Sequence, residues 1–200
     1  MAKNAQSGKG DAATRILASA AELFARSGYH GVSTRDIAAA AGVNEVTIYR
    51  HYPRKRDLYV AVLDAELRQV KLRGDLLAQI AEAGDARTAV ARTFELIADT
   101  LAQRQFLLRL VQFSALEIGE DADPLLRRHL GQLVEVMAHY LEPWVSRGEL
   151  RVGSAKALVL SLMGILLSQR PLHRLFMNNG SAPDEFGKAY VEFSVSTSAG

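Results

Sequence analysis

An all-α fold is predicted for this 200-residue chain by three observations. Apolar residues recur at helical spacing in segment after segment, Gly, Pro, Asp and Ser breaks separate those segments, and no stretch shows the period-two alternation of a strand. About nine helices are expected, arranged as an N-terminal three-helix domain containing a helix-turn-helix and a larger helical C-terminal domain.

The first helix is read from Asp11 to Tyr29, where Ile16, Leu17, Ala20, Leu23 and Phe24 share a face and Ser27-Gly28 supplies a stop. The second begins after Ser33, which can cap it, with Asp36 three residues on in the capping-box position. It runs to Ala41, and Gly42 then permits a sharp turn. Asn44 suits the cap of a third helix through Glu45–Arg50. Two short helices joined by a Gly-containing turn of three or four residues form a helix-turn-helix. Pro53 fits the start of a fourth helix carrying Leu58, Val62, Leu63, Leu67 and Val70, which is expected to reach Ile80 despite Gly74. Further helices are read over 86–103, 105–118, 124–147, 154–178 and 184–196.

The organisation that follows is a disordered basic tail (1–10), a helix-turn-helix domain (11–56) and a helical domain (57–200). The absence of cysteine excludes disulfides, thiolate nucleophiles and cysteine-containing zinc sites, as suits a reducing compartment. Residues 1–10 carry Lys3 and Lys9 with no apolar run behind them, so they do not read as a secretory signal. The most apolar stretch, Ala157–Leu167, is about half the length a membrane-spanning helix needs. A cytoplasmic protein with no membrane association is expected. Being apolar around nearly its whole circumference, Ala157–Leu167 should be covered on every side, either as a central helix of the monomer or by a partner chain, and dimerisation is the preferred reading. Phe186, Tyr190, Phe193 and Val195 on the last helix would neighbour it in that interface.

Charge is unevenly distributed. The first 60 residues hold nine Lys/Arg against five Asp/Glu, whereas the remainder holds fifteen against seventeen. The basic end is where a polyanion would dock. No G-x-S-x-G, phosphate-binding glycine loop or H-E-x-x-H pattern occurs, and His30, His51, His129, His139 and His173 have no i, i+4 pairing. No catalytic residue, metal site or cofactor is therefore expected.

The run Gly31-Val-Ser-Thr-Arg-Asp-Ile-Ala-Ala-Ala-Ala-Gly-Val-Asn-Glu-Val-Thr-Ile-Tyr-Arg-His-Tyr-Pro-Arg-Lys-Arg-Asp-Leu58 resembles the DNA-binding signature of the TetR repressor family, a likeness that spans roughly residues 12–60. The resemblance implies a homodimeric transcription regulator, not an enzyme, that binds double-stranded operator DNA. In that family a small molecule in the C-terminal domain tilts the fourth helix and moves the reading heads out of register. A repressor released by its effector is thus expected.

Residues Asn44–Arg50 are polar on one face, with Val43 and Ile48 on the other, as a recognition helix requires. By resemblance Arg35 reaches a guanine, the base that Arg reads best. Glu45, Val46 and Thr47 take the variable reading positions: Glu can accept from cytosine N4, and the Val and Thr methyls suit the thymine methyl. Thr34, Tyr49, His51 and Lys55 would contact phosphate, and Asn44 and Arg50 complete the set. Structural roles stand beside these. Tyr49 can be a core aromatic, as can Tyr52, which matches a buried family position. His51 can be a packing histidine, Glu45 can serve only its helix start, and Arg54 and Arg56 can add phosphate binding or form a solvated face. For the effector, Phe94, Arg109, Gln112 and Phe113, with Phe106 and Trp144, lie on helices that surround the pocket in such proteins; a lipophilic or acidic molecule would suit them if Arg109 is not simply on the surface. The dimer would form through 154–178 and 184–196. A different reading is a helical interaction module whose basic face meets an acidic protein, without a palindrome or steep salt dependence.

Overall fold

In the computed structural model, which describes residues 3–176 and 185–195, ten α-helices follow one another: α1 (Lys3–Ser27), α2 (Thr34–Ala41), α3 (Glu45–His51), α4 (Lys55–Leu67), α5 (Gly74–Ala81), α6 (Ala86–Gln103), α7 (Gln105–Phe113), α8 (Asp123–Ser146), α9 (Ala155–Phe176) and α10 (Glu185–Ser194). A π turn (Ser114–Ile118) and a short 3-10 turn (Gly119–Asp121) link α7 to α8. Among the described residues β structure is limited to a bridge between Leu150 and Val195, beside which Arg151 N–H donates to Ser194 O at 2.8 Å. Among them, too, no helix is long and apolar enough to cross a membrane.

Two expectations are corrected. The first helix starts at Lys3, so residues 3–10 of the stretch expected to be a disordered tail are helical. It holds no proline, and Ala5 and Gln6 are good helix formers, so nothing bars the helix from running back through it. The fourth helix does not reach Ile80: α4 ends at Leu67, and Gly74 opens a separate α5 after Arg73 in extended conformation (φ −73°, ψ 120°). Positions 177, 178, 184 and 196 of the expected late helices lie outside the described residues, as do the side chains of His173 and Phe186.

The chain packs as two compact units, Met1–Val70 with Arg104–His129, and Lys71–Gln103 with Leu130–Gly200. The division expected at residue 56 falls inside the first, because α4 packs on α1 and α7. In this first unit α1 is the hub, touching α2, α3, α4 and α7, with Ile16, Ala20 and Phe24 fully buried. Tyr59 of α4 is also fully buried, edge-on to Phe24 (4.9 Å between centroids) and Tyr29 (5.6 Å). Its hydroxyl donates to Leu110 O at 2.6 Å, tying α4 to α7. Burial, reinforced by the negative charge of Glu117, pushes the Tyr59 phenol well above its usual range and keeps it a donor. The second unit has its own core of Leu96, Ile97, Leu141, Leu158, Val159, Leu162 and Val191, around which α6, α9 and α10 pack. On α9, Leu158, Val159 and Leu162 are covered within the chain, whereas Ala157, Ser161, Gly164 and Leu160 (52% exposed) are open.

Candidate nucleic-acid interface

The helix-turn-helix is built by the local devices its sequence announces. Ser33 is extended and its Oγ accepts from Asp36 N–H at 3.1 Å, while Asp36 Oδ2 accepts from Ser33 N–H at 3.0 Å, which closes the capping box. The Ser33 hydroxyl also donates to Asp36 Oδ2, and this bond first, then that from the Ser33 N–H, holds the Asp36 carboxyl below its ordinary range. At the other end Gly42 takes the left-handed conformation (φ 63°), and its N–H and that of Val43 return to Ala39 O and Ala38 O. Arg15 of α1 donates to Ala41 O at 3.1 Å, covering another end carbonyl. Asn44 then caps α3, accepting from Val46 N–H at 3.0 Å. With Ile37, Ala41 and Ile48 buried, both helices are fixed on α1.

The predicted contact residues separate by exposure. Arg35, Asn44, Val46, Tyr49 and Arg50 are exposed, with Val46 at 58% and Tyr49 at 46%. Glu45, Thr47, His51, Tyr52 and Lys55 are half-buried, and Thr34 is buried. Tyr49 is therefore not a core aromatic, and Tyr52 is covered only in part, enough for burial to raise its pKa. Thr34 joins the two helices: its hydroxyl donates to Glu45 Oε1 at 2.5 Å and lies 3.1 Å from the Tyr49 hydroxyl. Glu45 thus has a partner across the motif.

Lys55 begins α4 with its ammonium 4.2 Å above the Tyr29 ring. Partial burial lowers its pKa, and the Glu117 carboxylate pulls the other way. The flanking arginines are engaged, Arg54 with Asp57 at 2.8 Å and Arg56 with Asp121, and Asp57 Oδ2 also accepts from Arg54 N–H at 3.0 Å. Pro53 stands just outside the helix it was expected to start. An open cleft of ≈ 480 Å³ lies between His30, Ser33, Thr34, Tyr49 and Lys55. The start of α2 lines it with Ser33, Thr34 and Asp36, and the amides of Thr34 and Arg35 there have no acceptor inside the helix.

Three of the four predicted effector residues come together. Arg109, Gln112 and Phe113 line an open groove of ≈ 610 Å³ with Ala25, Arg26, Ala115 and Leu116, and Arg109 lies on the surface, as its alternative reading had it. Phe94 does not join them; it packs on the core of the other unit, as does Trp144. Among the described residues no group of three His, Asp or Glu is placed to hold a metal ion. The sequence reading missed Tyr29, Tyr59 and Glu117. For Glu117 a signal existed, because an acid at the C-terminal end of a helix opposes the helix dipole and so calls for a partner elsewhere.

An all-α chain that presents a capped helix-turn-helix with an open polar face is a DNA-binding transcription regulator in class. Residues 16–62 match the model of the bacterial regulatory proteins of the tetR family. An uncharacterized HTH-type transcriptional regulator of Mycobacterium tuberculosis is 27% identical over 165 residues, 80% of each chain. Two solved structures share the fold. A regulator from Saccharomonospora viridis in complex with choline has a TM-score of 0.67 at 22% identity, covering 94% of this chain and 100% of its own. The regulator FadR from Bacillus subtilis in complex with stearoyl-CoA has a TM-score of 0.63 at 19% identity, covering 92% and 97%. The chain belongs to the tetR family of transcriptional regulators.

Proposed function

We propose that the chain is a cytoplasmic, homodimeric repressor that binds a near-palindromic operator and is released by a small lipophilic or acidic molecule, with no catalytic role. The observation that carries the reading is the open face of α3, where Val46, Tyr49 and Arg50 stand exposed beside Arg35 on a scaffold locked by three caps. Arg35 reads a guanine, and Glu45, Val46 and Thr47 set preference at neighbouring bases. Tyr49, His51 and Lys55 hold phosphate with their side chains and Thr34 with its backbone amide at the start of α2, aided by the helix dipole, with Asn44 and Arg50 at the edges.

The dimer forms through 154–178 and 184–196. Its support is the apolar surface left open there, Leu160 at 52% and Phe193 at 74%. Two heads then meet half-sites roughly 34–36 Å apart. For the effector, two arginines (Arg26 and Arg109) and an apolar wall of Phe113 and Leu116 favour a lipophilic anion. Stearoyl-CoA on a structural neighbour belongs to that class; choline, a cation, does not. Phe94 is the remaining candidate, on the other unit.

The test is selection of tight-binding sequences from random duplexes at two salt concentrations. A palindromic consensus with affinity falling steeply as salt rises is expected. Binding without sequence enrichment, or without salt dependence, would overturn it.

A further inference from the structure

The turn leading into α2 is held from a distant part of the sequence. His30 N–H donates to Glu117 Oε2 at 2.7 Å, although the two residues are 87 positions apart. Gly28 makes room for this contact. It has φ +75°, and a Cβ there would lie 2.6 Å from Glu117 Oε1 and 3.2 Å from Phe113 Cδ1. Any side chain at position 28 would push the carboxylate away from the turn. The charge of the same carboxylate bears on Lys55, whose ammonium rests over Tyr29 in that turn.

Glu117 is borne by the π turn Ser114–Ile118, an extra-residue winding that is rare and concentrates at functional sites. Its attachment is firm on one side: α7 is tied to α4 through Tyr59 and Leu110, and Ser114 and Ile118 are buried. On the other side Ala115 and Leu116 of the same turn, with Phe113 just before it, line the groove against Ala25 and Arg26. Leu116 is 83% exposed, so an occupant of the groove meets this turn directly. One turn therefore carries the groove lining on Ala115 and Leu116 and the brace of the α1–α2 turn on Glu117.

We propose that Glu117 is a positioning residue: its carboxylate sets the Gly28–Gly31 turn, and with it the start of α2, in the DNA-meeting geometry, and passes to that turn any displacement of the π turn made by a groove occupant. This rests on the DNA-binding reading for its consequence, but the contact itself can be measured without DNA.

The experiment uses the full chain and two readouts: amide hydrogen exchange at His30 by NMR, and affinity for the selected operator. Glu117→Ala is expected to speed His30 exchange and to weaken operator binding about tenfold, the scale of a lost hydrogen bond to a charged acceptor. Glu117→Gln, which keeps an acceptor at the same reach, is expected to rescue both. Ala115→Trp serves as a built-in groove occupant; it is expected to change His30 exchange and operator affinity in the parent chain but not in Glu117→Ala, a coupling read by the double-mutant cycle. Unchanged operator affinity in Glu117→Ala, or no rescue by Glu117→Gln, would overturn the positioning role. An Ala115→Trp effect that persists undiminished in Glu117→Ala would overturn the transmission. If the parent chain binds no DNA, the function proposed above fails, while unaltered His30 exchange in Glu117→Ala would separately refute the brace.

Discussion

The unit of Met1–Val70 with Arg104–His129 and the unit of Lys71–Gln103 with Leu130–Gly200 are both helical but use their helices for different ends. In the first, each bend of the helix-turn-helix is specified by a residue at the bend: Ser33 and Asp36 open α2, Gly42 closes it, and Asn44 opens α3. The face where function is proposed sets the basic Arg35 and Arg50 beside exposed Val46 and Tyr49. In the second, an aliphatic core organises α6, α9 and α10, and its distinctive exposed residues are apolar, Leu160 and Phe193. A surface that reads a polymer must have fixed side-chain positions, so its backbone is pinned by caps; the surface proposed to bind another copy of the chain needs area and complementarity, to which Leu160 and Phe193 contribute apolar area.

Substitutions in the two cores probe this contrast most strongly. Phe24→Ala is expected to cost about 3–5 kcal/mol and Leu96→Ala about 2–5 kcal/mol, since both side chains are fully buried. The single tryptophan, Trp144, packs on the second core, so its fluorescence follows that unit while circular dichroism follows both. In urea, Phe24→Ala should shift the dichroism transition more than the fluorescence one. Coincident shifts would show that the units unfold as one body and dissolve the contrast.

Next in size is Leu160→Asp, which places a charge in the proposed symmetric interface. It should weaken self-association by about 3 kcal/mol, roughly the transfer value of one buried leucine on each copy, with helix content unchanged. Sedimentation velocity across a concentration series measures it. A variant that stays dimeric would move the interface elsewhere.

Within the first unit, Arg35→Ala should cost about 1–3 kcal/mol on the selected operator and relax preference at one position, while Lys55→Ala should weaken specific and random duplexes alike. Titrations of both DNAs against both variants separate the two roles. Equal loss on both DNAs for Arg35→Ala would end its assignment to base reading.

The smallest effect is at the cap. Ser33→Ala should lower stability by about 1 kcal/mol at neutral pH. Because hydrogen bonds from Ser33 hold the folded Asp36 carboxyl below its ordinary value, its contribution is fully present above that value and is lost as pH falls through the lowered one. The difference between parent and variant in a melting series should therefore shrink in acid. A difference constant with pH would place the effect elsewhere than in the capping box.

Much of the first unit was legible because its information is local. Caps, the left-handed glycine and the 3.6-residue period act over one to four positions, so Ser33, Asp36, Gly42 and Asn44 declare themselves in a linear reading. The break between α4 and α5 was missed because the apolar pattern ran on through Val70 toward Ile80 and a single Gly74 does not by itself end a helix. The burial of Thr34 was missed as well, since its partners Glu45 and Tyr49 lie on the next helix. Three of the four effector candidates converge on one groove; Phe94 shares their helical character but not their unit.

The sequence by itself determined the all-α class, the helix-turn-helix with its caps, and the family, because these rest on short-range propensity and on a signature confined to about fifty consecutive residues. Only the tertiary structure decided which helices share a core, that α4 and α7 belong with the first three, and that Glu117 reaches back to His30. Those contacts join residues dozens of positions apart, and no local propensity encodes them; they follow from how apolar faces pair once the helices exist.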